Sequence, residues 1–155
     1  MMLPALTPRQ REDILERLRA WAGQDRRARA SHRTLTESET VALAAGDLIE
    51  IGAHTAAHPV LSMLPVAEQK REIEASKRRL EAVLERPVVS FAYPYGSLSD
   101  YGRETIETVQ AIGFESACTT FDDVVRPGAD PFQLPRMLVR DWDGERFSRE
   151  LRARM

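Results

Sequence analysis

The sequence has few residues of the types that form disulfides or bind metals, with one cysteine and three histidines. It also has no apolar run of the roughly 20 residues needed to cross a bilayer. The single cysteine, Cys118, excludes an internal disulfide, and its place in a predicted strand favours a small buried side chain over a reactive thiol. The first residues lack the basic and apolar segments of a signal peptide. As written, the chain is expected to remain in the cytoplasm.

A strong charge of one sign is also missing. The formal net charge of -2 gives no general attraction to nucleic acid or to an anionic membrane. Residues 24–33 are rich in arginine but carry no interleaved aromatic residues, a pattern that favours a solvated linker. We therefore expect neither nucleic acid nor a membrane as a partner. The length of 155 residues and the 43% apolar composition indicate one globular domain.

Capping residues and apolar residues at helical spacing predict four helices, at residues 6–24, 34–47, 64–86 and 99–113. Thr7 is the predicted N-cap of the first, and Thr36 with Glu39 forms a capping box at the start of the second. The apolar stripe of the first helix consists of Ile14, Leu15, Leu18 and Trp21. The predicted inward face of the third consists of Val66, Ile73, Leu80, Val83 and Leu84.

Four short apolar segments predict strands, at residues 48–54, 87–96, 114–120 and 133–142. Strands that alternate with helices of this length indicate βαβ units, and hence an α/β fold with parallel strands. Ligands of such folds collect at the carboxyl ends of the strands. HTAAHP (54–59), YPYG (93–96) and TTFDD (119–123) all lie at such ends, so we expect them at one edge of the sheet.

Two histidines four residues apart, His54 and His58, are the first candidates for chemistry. Neutral imidazole is a favoured zinc ligand, and two of them supply half of a tetrahedral site. Pro59 stiffens the backbone directly after His58, which would keep the two rings convergent. The spacing alone is weak evidence, because a hydrogen-bonded polar pair fits it equally well, and a zinc site needs a third protein ligand.

The neighbouring motifs make the pattern more specific. IEIGAHTAAHP, then FAYPYG, then LPR after a loop with glycine and proline, resemble the polysaccharide deacetylase family, the NodB-homology domain of carbohydrate esterase family 4. The resemblance runs over residues 34–142. The family's H-[ST]-x-x-H-P motif is matched by His54, Thr55, His58 and Pro59. Its aromatic-Pro-Tyr-Gly turn is matched by Tyr93, Pro94, Tyr95 and Gly96.

The resemblance implies a partial or distorted (β/α) barrel of the deacetylase type, with about four parallel strands and flanking helices. It implies metal-dependent removal of N-acetyl groups from an amino-sugar polymer, with His54 and His58 as metal ligands. Zinc is the expected metal, with cobalt and manganese as alternatives. The backbone N–H of Tyr95 would stabilise the oxyanion, and the substrate groove would be formed in part by Tyr93, Pro94, Tyr95 and Gly96.

One family motif is absent from its expected place. Family members carry a T-F-D-D-G-like strand end before the histidines, and its aspartates serve as general base and third metal ligand. The aspartates before His54 are Asp13, Asp25 and Asp47, and none follows a strand-like run. A similar stretch, TTFDDVV, comes after the histidines instead. Asp122 and Asp123 are therefore candidates for the missing base or ligand, with solvent-exposed loop aspartates as the alternative.

These gaps predict a single deacetylase-like domain over residues 1–155 that is incomplete at its N-terminus. Residues 1–33 would form a helix and basic linker, and residues 34–142 the matching region. Because an incomplete sheet leaves an open edge strand, we expect a homo-oligomer. The expected function is that of a polysaccharide deacetylase, with this chain as a weakly active or inactive portion. The alternative is a non-catalytic, carbohydrate-binding module.

Overall fold

The computed structural model describes residues 6–27, 30–46 and 48–154, and a small parallel sheet lies at its centre. Strands β1 (Ser90–Ala92) and β2 (Ser116–Cys118) pair in parallel, with Phe91 opposite Ala117. Isolated parallel bridges join Ala53 to Phe91 and Cys118 to Leu134. Four chain segments thus run side by side in sequence order. This arrangement confirms the predicted α/β fold.

The two outer predicted strands are much shorter than the sequence suggested. Residues 48–54 and 133–142 contribute one bridge each, at Ala53 and Leu134. After Leu134 the Arg136 N–H donates to the carbonyl of Phe121, which lies beyond the end of β2, so the ladder does not continue along β2. The segment at 48–54 has no partner on its outer side among the described residues, and a strand paired on one side only is weakly held.

Helices flank this sheet. They are α1 (Pro8–Trp21), α2 (Glu37–Ala44), α3 (Val66–Leu84), α4 (Arg103–Ala111) and α5 (Gly144–Arg152), with 3-10 turns at Ala30–His32 and Leu61–Met63. The first four confirm the predicted helices, each with shorter ends. Helix α5 was not predicted. Its signal is Asp143, whose side chain accepts a hydrogen bond from the Arg146 N–H at 2.7 Å and caps the helix.

Both predicted N-caps are confirmed. Thr7 exchanges hydrogen bonds with Gln10, and Thr36 exchanges them with Glu39, so each helix begins with a capping box. Arg33 donates to the same Glu39 carboxylate at 2.7 Å, and these bonds lower the pKa of Glu39 to about 2. Within the described ranges, every helix is too short or too polar to span a bilayer.

The core lies between the sheet and helices α3 and α4. Its buried residues are Ala53, Leu61, Ile73, Val88, Phe91, Tyr93, Tyr101, Val109, Phe114 and Ala117. Full burial of an Ile or Phe side chain contributes roughly 1.5–3 kcal/mol. Ile73 is buried as predicted, and Leu80 and Leu84 pack against the core. The prediction for Val66 was wrong: this side chain is 40% exposed, because it lies in the first turn of α3, before the helix reaches the sheet.

Candidate functional site

His54 follows directly after the bridge at Ala53, at the carboxyl end of the sheet. Its Nδ1 atom lies 2.7 Å from the carbonyl oxygen of Ala92, the last residue of β1. A carbonyl oxygen only accepts, so Nδ1 carries the proton and donates it. The lone pair of the ring is therefore on Nε2, the atom that a metal-binding histidine in this tautomer offers.

The second histidine lies beside the first. The ring centroids of His54 and His58 are 4.7 Å apart, with the rings edge to face. The turn between them is tight, because both Thr55 and His58 adopt the left-handed region, with φ of 60° and 54°. The Thr55 Oγ1 accepts a hydrogen bond from the His58 N–H at 3.1 Å. The local backbone thus brings together the two imidazoles that the sequence pairs.

Burial of part of the His54 ring lowers its pKa below the usual value. The positive charges that His58 and Arg136 can carry act in the same direction, whereas the hydrogen bond to the Ala92 carbonyl opposes them. The net effect keeps His54 neutral to lower pH than a free histidine. Neutral imidazole is the form that binds a metal ion, so the electrostatics favour the ligand state.

Arg136 is a site residue to which the sequence reasoning gave no role. Its Nε donates to the carbonyl oxygen of Thr119 at 2.6 Å, and its backbone N–H donates to that of Phe121 at 2.9 Å. These bonds fix the guanidinium at the carboxyl end of β2, close enough to influence His54. The available signal was its place in LPR, near the start of the outermost predicted strand.

The YPYG turn brings Tyr95 against the histidines. The Tyr95 ring centroid lies 4.8 Å from that of His58, and the side chain is 36% exposed. Tyr95 has a φ of 61°, and its carbonyl accepts from Thr120 Oγ1 at 2.8 Å. Its N–H has no hydrogen-bond acceptor among the described residues. This free donor at the histidine end of the sheet is consistent with the predicted oxyanion role.

Gly96 allows this turn to form. Its φ is 72°, and a Cβ at this position would lie 3.0 Å from both the backbone N and the Cγ2 of Thr120. The Thr120 N–H donates to the Gly96 carbonyl at 3.0 Å, which ties the turn to the segment after β2. Any side chain at position 96 would therefore push this contact apart.

Two residues predicted to line the substrate groove do not reach the surface. Tyr93 is fully buried, stacks on Tyr101 with ring centroids 4.0 Å apart, and donates its hydroxyl to the Phe132 carbonyl at 2.9 Å. Pro94 is also buried. The chain leaves the extended conformation at Tyr95, whose φ is positive, and the accessible ring of the motif is that of Tyr95. Tyr93 and Pro94 pack the base of the turn, and their predicted contact with substrate stays a prediction.

The acidic pair does not join the histidines. Asp122 accepts from Arg154 Nη2 at 3.1 Å, and Asp123 accepts from the Val124 N–H at 2.8 Å. Both are exposed and engaged locally. Within the described residues, no three side chains of the His, Cys, Asp or Glu type come together as a metal site. The described residues therefore do not group Asp122 or Asp123 with the histidines, and their use as stand-ins stays a prediction; Asp47 lies outside the described residues.

Comparison with known proteins gives this geometry a context. The model of the polysaccharide deacetylase family matches residues 26–117, which is more than half of the chain. The matched segment contains both histidines and the YPYG turn, and it ends within β2. No curated protein sequence matches the chain significantly.

Solved structures share the fold. A deacetylase from Streptococcus pyogenes, PplD in complex with acetate, is 20% identical with a TM-score of 0.69, and the match covers 78% of this chain and 52% of that one. A polysaccharide deacetylase from Bacillus cereus is 20% identical with a TM-score of 0.68, covering 79% and 38%. IcaB from Ammonifex degensii is 27% identical with a TM-score of 0.64, covering 77% and 54%. The chain thus spans about half or less of the length of these proteins.

Proposed function

The chain belongs to the polysaccharide deacetylase family, and we propose that it takes part in metal-dependent removal of N-acetyl groups from an amino-sugar polymer. The observation that carries this proposal is the convergence of three groups at one edge of the sheet. These are the paired imidazoles of His54 and His58 and the adjoining ring and free N–H of Tyr95. The chain spans only part of the length of the solved deacetylases. We therefore also propose, for any longer protein that contains it, the same deacetylase activity.

The donor set fits part of a metal site. His54 and His58 would hold the ion through imidazole nitrogens, and zinc is the metal such ligands and hydrolysis favour, ahead of cobalt or manganese. When bound, such an ion supplies Lewis acidity toward a carbonyl oxygen and lowers the pKa of a bound water. The two histidines form half of a tetrahedral set, and the described residues add no third ligand.

The other residues act on the substrate. The Tyr95 N–H would donate to the oxygen of the acetamide as negative charge develops on it. The exposed Tyr95 ring would pack against a sugar face, a contact that a flat, partly exposed aromatic ring makes well. Gly96, with a positive φ, allows the close contact with Thr120 that holds this turn in place.

A second candidate is a non-catalytic module that retains the carbohydrate surface. The observation that favours it is that, among the described residues, no carboxylate joins the two histidines in a three-ligand group, since hydrolysis needs a base to take the proton of the attacking water. We infer that this chain alone hydrolyses acetamides slowly or not at all. Both candidates use Tyr95, and they differ in whether turnover occurs.

Two assays on the purified chain test the proposal. Nuclear magnetic resonance titration with an N-acetylglucosamine oligomer and zinc should shift the signals of Tyr95 and His58 and leave those of α5 unchanged. Acetate release from the same oligomer should be low, dependent on zinc, and lost in His54→Ala. Absence of any shift at Tyr95 and His58 would overturn the carbohydrate proposal. Fast release that persists in His54→Ala would overturn the metal-dependent one.

A further inference from the structure

The turn that carries both histidines is held from outside by two charged side chains. One carboxylate oxygen of Glu72, on α3, accepts hydrogen bonds from the N–H groups of Ala56 at 3.1 Å and Ala57 at 2.8 Å. On the other side, Arg11 of α1 donates through Nη2 to the carbonyl oxygen of Ala57 at 2.6 Å. Side chains from two different helices are therefore hydrogen-bonded to the peptide groups between the histidines.

This turn needs outside support because its backbone is strained. Thr55 and His58 both have positive φ, and neither is a glycine. The bond from the His58 N–H to Thr55 Oγ1 closes the turn locally, but within the described ranges the amides of Ala56 and Ala57 have no backbone acceptor. Glu72 supplies that acceptor for both.

We propose that Glu72 and Arg11 are positioning residues that hold His54 and His58 in the arrangement needed to bind one metal ion together. The inference rests on the proposed function, because it concerns the same histidines. Glu72 and Arg11 differ in their position relative to the family match. Glu72 lies within the segment that matches the family, whereas Arg11 lies before residue 26, where that match begins. Helix α1 thus adds support that the family match does not include.

The contacts set the choice of variants. Both amides donate to the same oxygen, so a glutamine at position 72 can replace the carboxylate with its own carbonyl oxygen, whereas alanine cannot. The test compares Glu72→Ala, Glu72→Gln and Arg11→Ala with the unaltered chain. The matched controls are Glu74→Ala, on the same helix with Lys70 as its ion-pair partner, and the exposed Arg9→Ala on α1.

Two readouts are measured at one pH. The first is the hydrogen-exchange rate of the Ala56 and Ala57 amides without metal, and the second is the zinc dissociation constant from calorimetry. In Glu72→Ala we expect exchange to accelerate about 10-fold or more and zinc affinity to fall by about 10- to 100-fold, as for outer supports of metal ligands. In Glu72→Gln both values should stay within about threefold of the unaltered chain. Arg11→Ala should weaken zinc binding while the controls do not.

The outcomes separate the two proposals. If the unaltered chain binds no zinc, the metal site is refuted, and the amide exchange rates alone decide whether Glu72 and Arg11 hold the turn. Unchanged exchange and affinity in Glu72→Ala would overturn the positioning role. So would equal damage in Glu72→Gln and Glu72→Ala, because damage that glutamine does not rescue comes from loss of the negative charge and not from loss of the hydrogen bonds to the turn. Thermal unfolding of each variant separates local loosening from loss of the fold.

Discussion

The Nδ1 atom of His54 donates a hydrogen bond to the carbonyl of Ala92, and so connects the histidine turn to the end of β1. This contact joins residues far apart in the chain, and it decides which ring nitrogen is free. With the proton on Nδ1, the Nε2 lone pair is available. The sheet thus contributes more than proximity, because it also selects the tautomer of a candidate ligand.

Replacing Arg136 should raise the pKa of His54. The guanidinium disfavours a second positive charge nearby, so Arg136→Ala removes one cause of the lowered pKa. Because the folded-state pKa of His54 lies below its unfolded value, folding stability is full above about pH 6.5 and falls as the pH decreases through that value. In Arg136→Ala this decrease of folding stability at acidic pH should be smaller. A nuclear magnetic resonance titration of the His54 ring measures the pKa directly.

Arg140→Ala is the control for this prediction, since Arg140 is an exposed arginine of the same segment that does not affect the His54 pKa. An unchanged or lower pKa of His54 in Arg136→Ala would mean that the guanidinium does not lie where the structure places it.

Tyr93 and Tyr95 should differ sharply in what they affect. Tyr93→Phe removes a buried hydroxyl and leaves the Phe132 carbonyl without its donor, which should lower the free energy of unfolding by about 1–3 kcal/mol. Its effect on binding of N-acetylglucosamine oligomers should be small. Tyr95→Ala should do the reverse and weaken oligomer binding with little loss of stability. Denaturant unfolding and a binding titration of both variants check this, and weaker binding in Tyr93→Phe at normal stability would refute it.

Tyr93 also predicts an alkaline limit to stability. Burial raises the pKa of its hydroxyl well above the ordinary value of 10.0, with the nearby Tyr101 and Asp130 adding to the shift. The unfolded chain therefore loses this proton first, so stability is full below pH 10 and decreases as the pH rises above it. Tyr93→Phe should reduce the slope of this decrease. Equal slopes in the two proteins, measured by denaturant unfolding at several pH values, would contradict the assignment.

Gly96→Ala should destabilise the chain and disturb the site together. The positive φ and the 3.0 Å approach to Thr120 predict a loss of about 1–3 kcal/mol, from strain and from the displaced segment after β2. Gly102→Ala is the matched control, because a Cβ there meets nothing within 4 Å. Thermal unfolding gives the comparison. A loss no larger than that of Gly102→Ala would show that the turn tolerates a side chain.

The open edge of the sheet predicts self-association. Leu48 is 98% exposed and Ile49 is 44% exposed, and the segment that contains them pairs on one side only within the described residues. Replacing both with Glu should shift the chain toward monomer in analytical ultracentrifugation, whereas Leu98→Glu, at an exposed leucine elsewhere, should not. A chain that is monomeric at all concentrations before any substitution would refute the expected homo-oligomer.

The sequence predicted the elements that depend on local signals. The capping residues Thr7 and Thr36 placed two helix starts correctly, and the histidine and YPYG motifs lie at one edge as parallel strands require. Features that depend on distant contacts were missed. Burial of Tyr93 accompanies its stacking on Tyr101, and Asp122 pairs with Arg154, which lies 32 residues further along the chain. Neither partner can be identified from spacing along the chain.

The two side chains that hold the histidine turn also depend on contacts between distant residues, and the sequence analysis missed them. Glu72 and Arg11 reach Ala57 from two helices, and nothing in the sequence near His54 points to either. Helix α5 was missed for a different reason: its cap, Asp143, directly follows the segment that was predicted to be a strand.

The most direct test of this account is a calorimetric zinc titration of the chain beside His54→Ala and His58→Ala. Two imidazoles without a third ligand among the described residues should bind zinc with micromolar or weaker affinity, and each substitution should abolish the binding. Zinc binding that is indifferent to both substitutions would contradict the proposal that these histidines form a metal site. Sub-micromolar zinc binding that is lost in both variants would contradict a site made of two histidines alone, because such tight binding requires a third protein ligand.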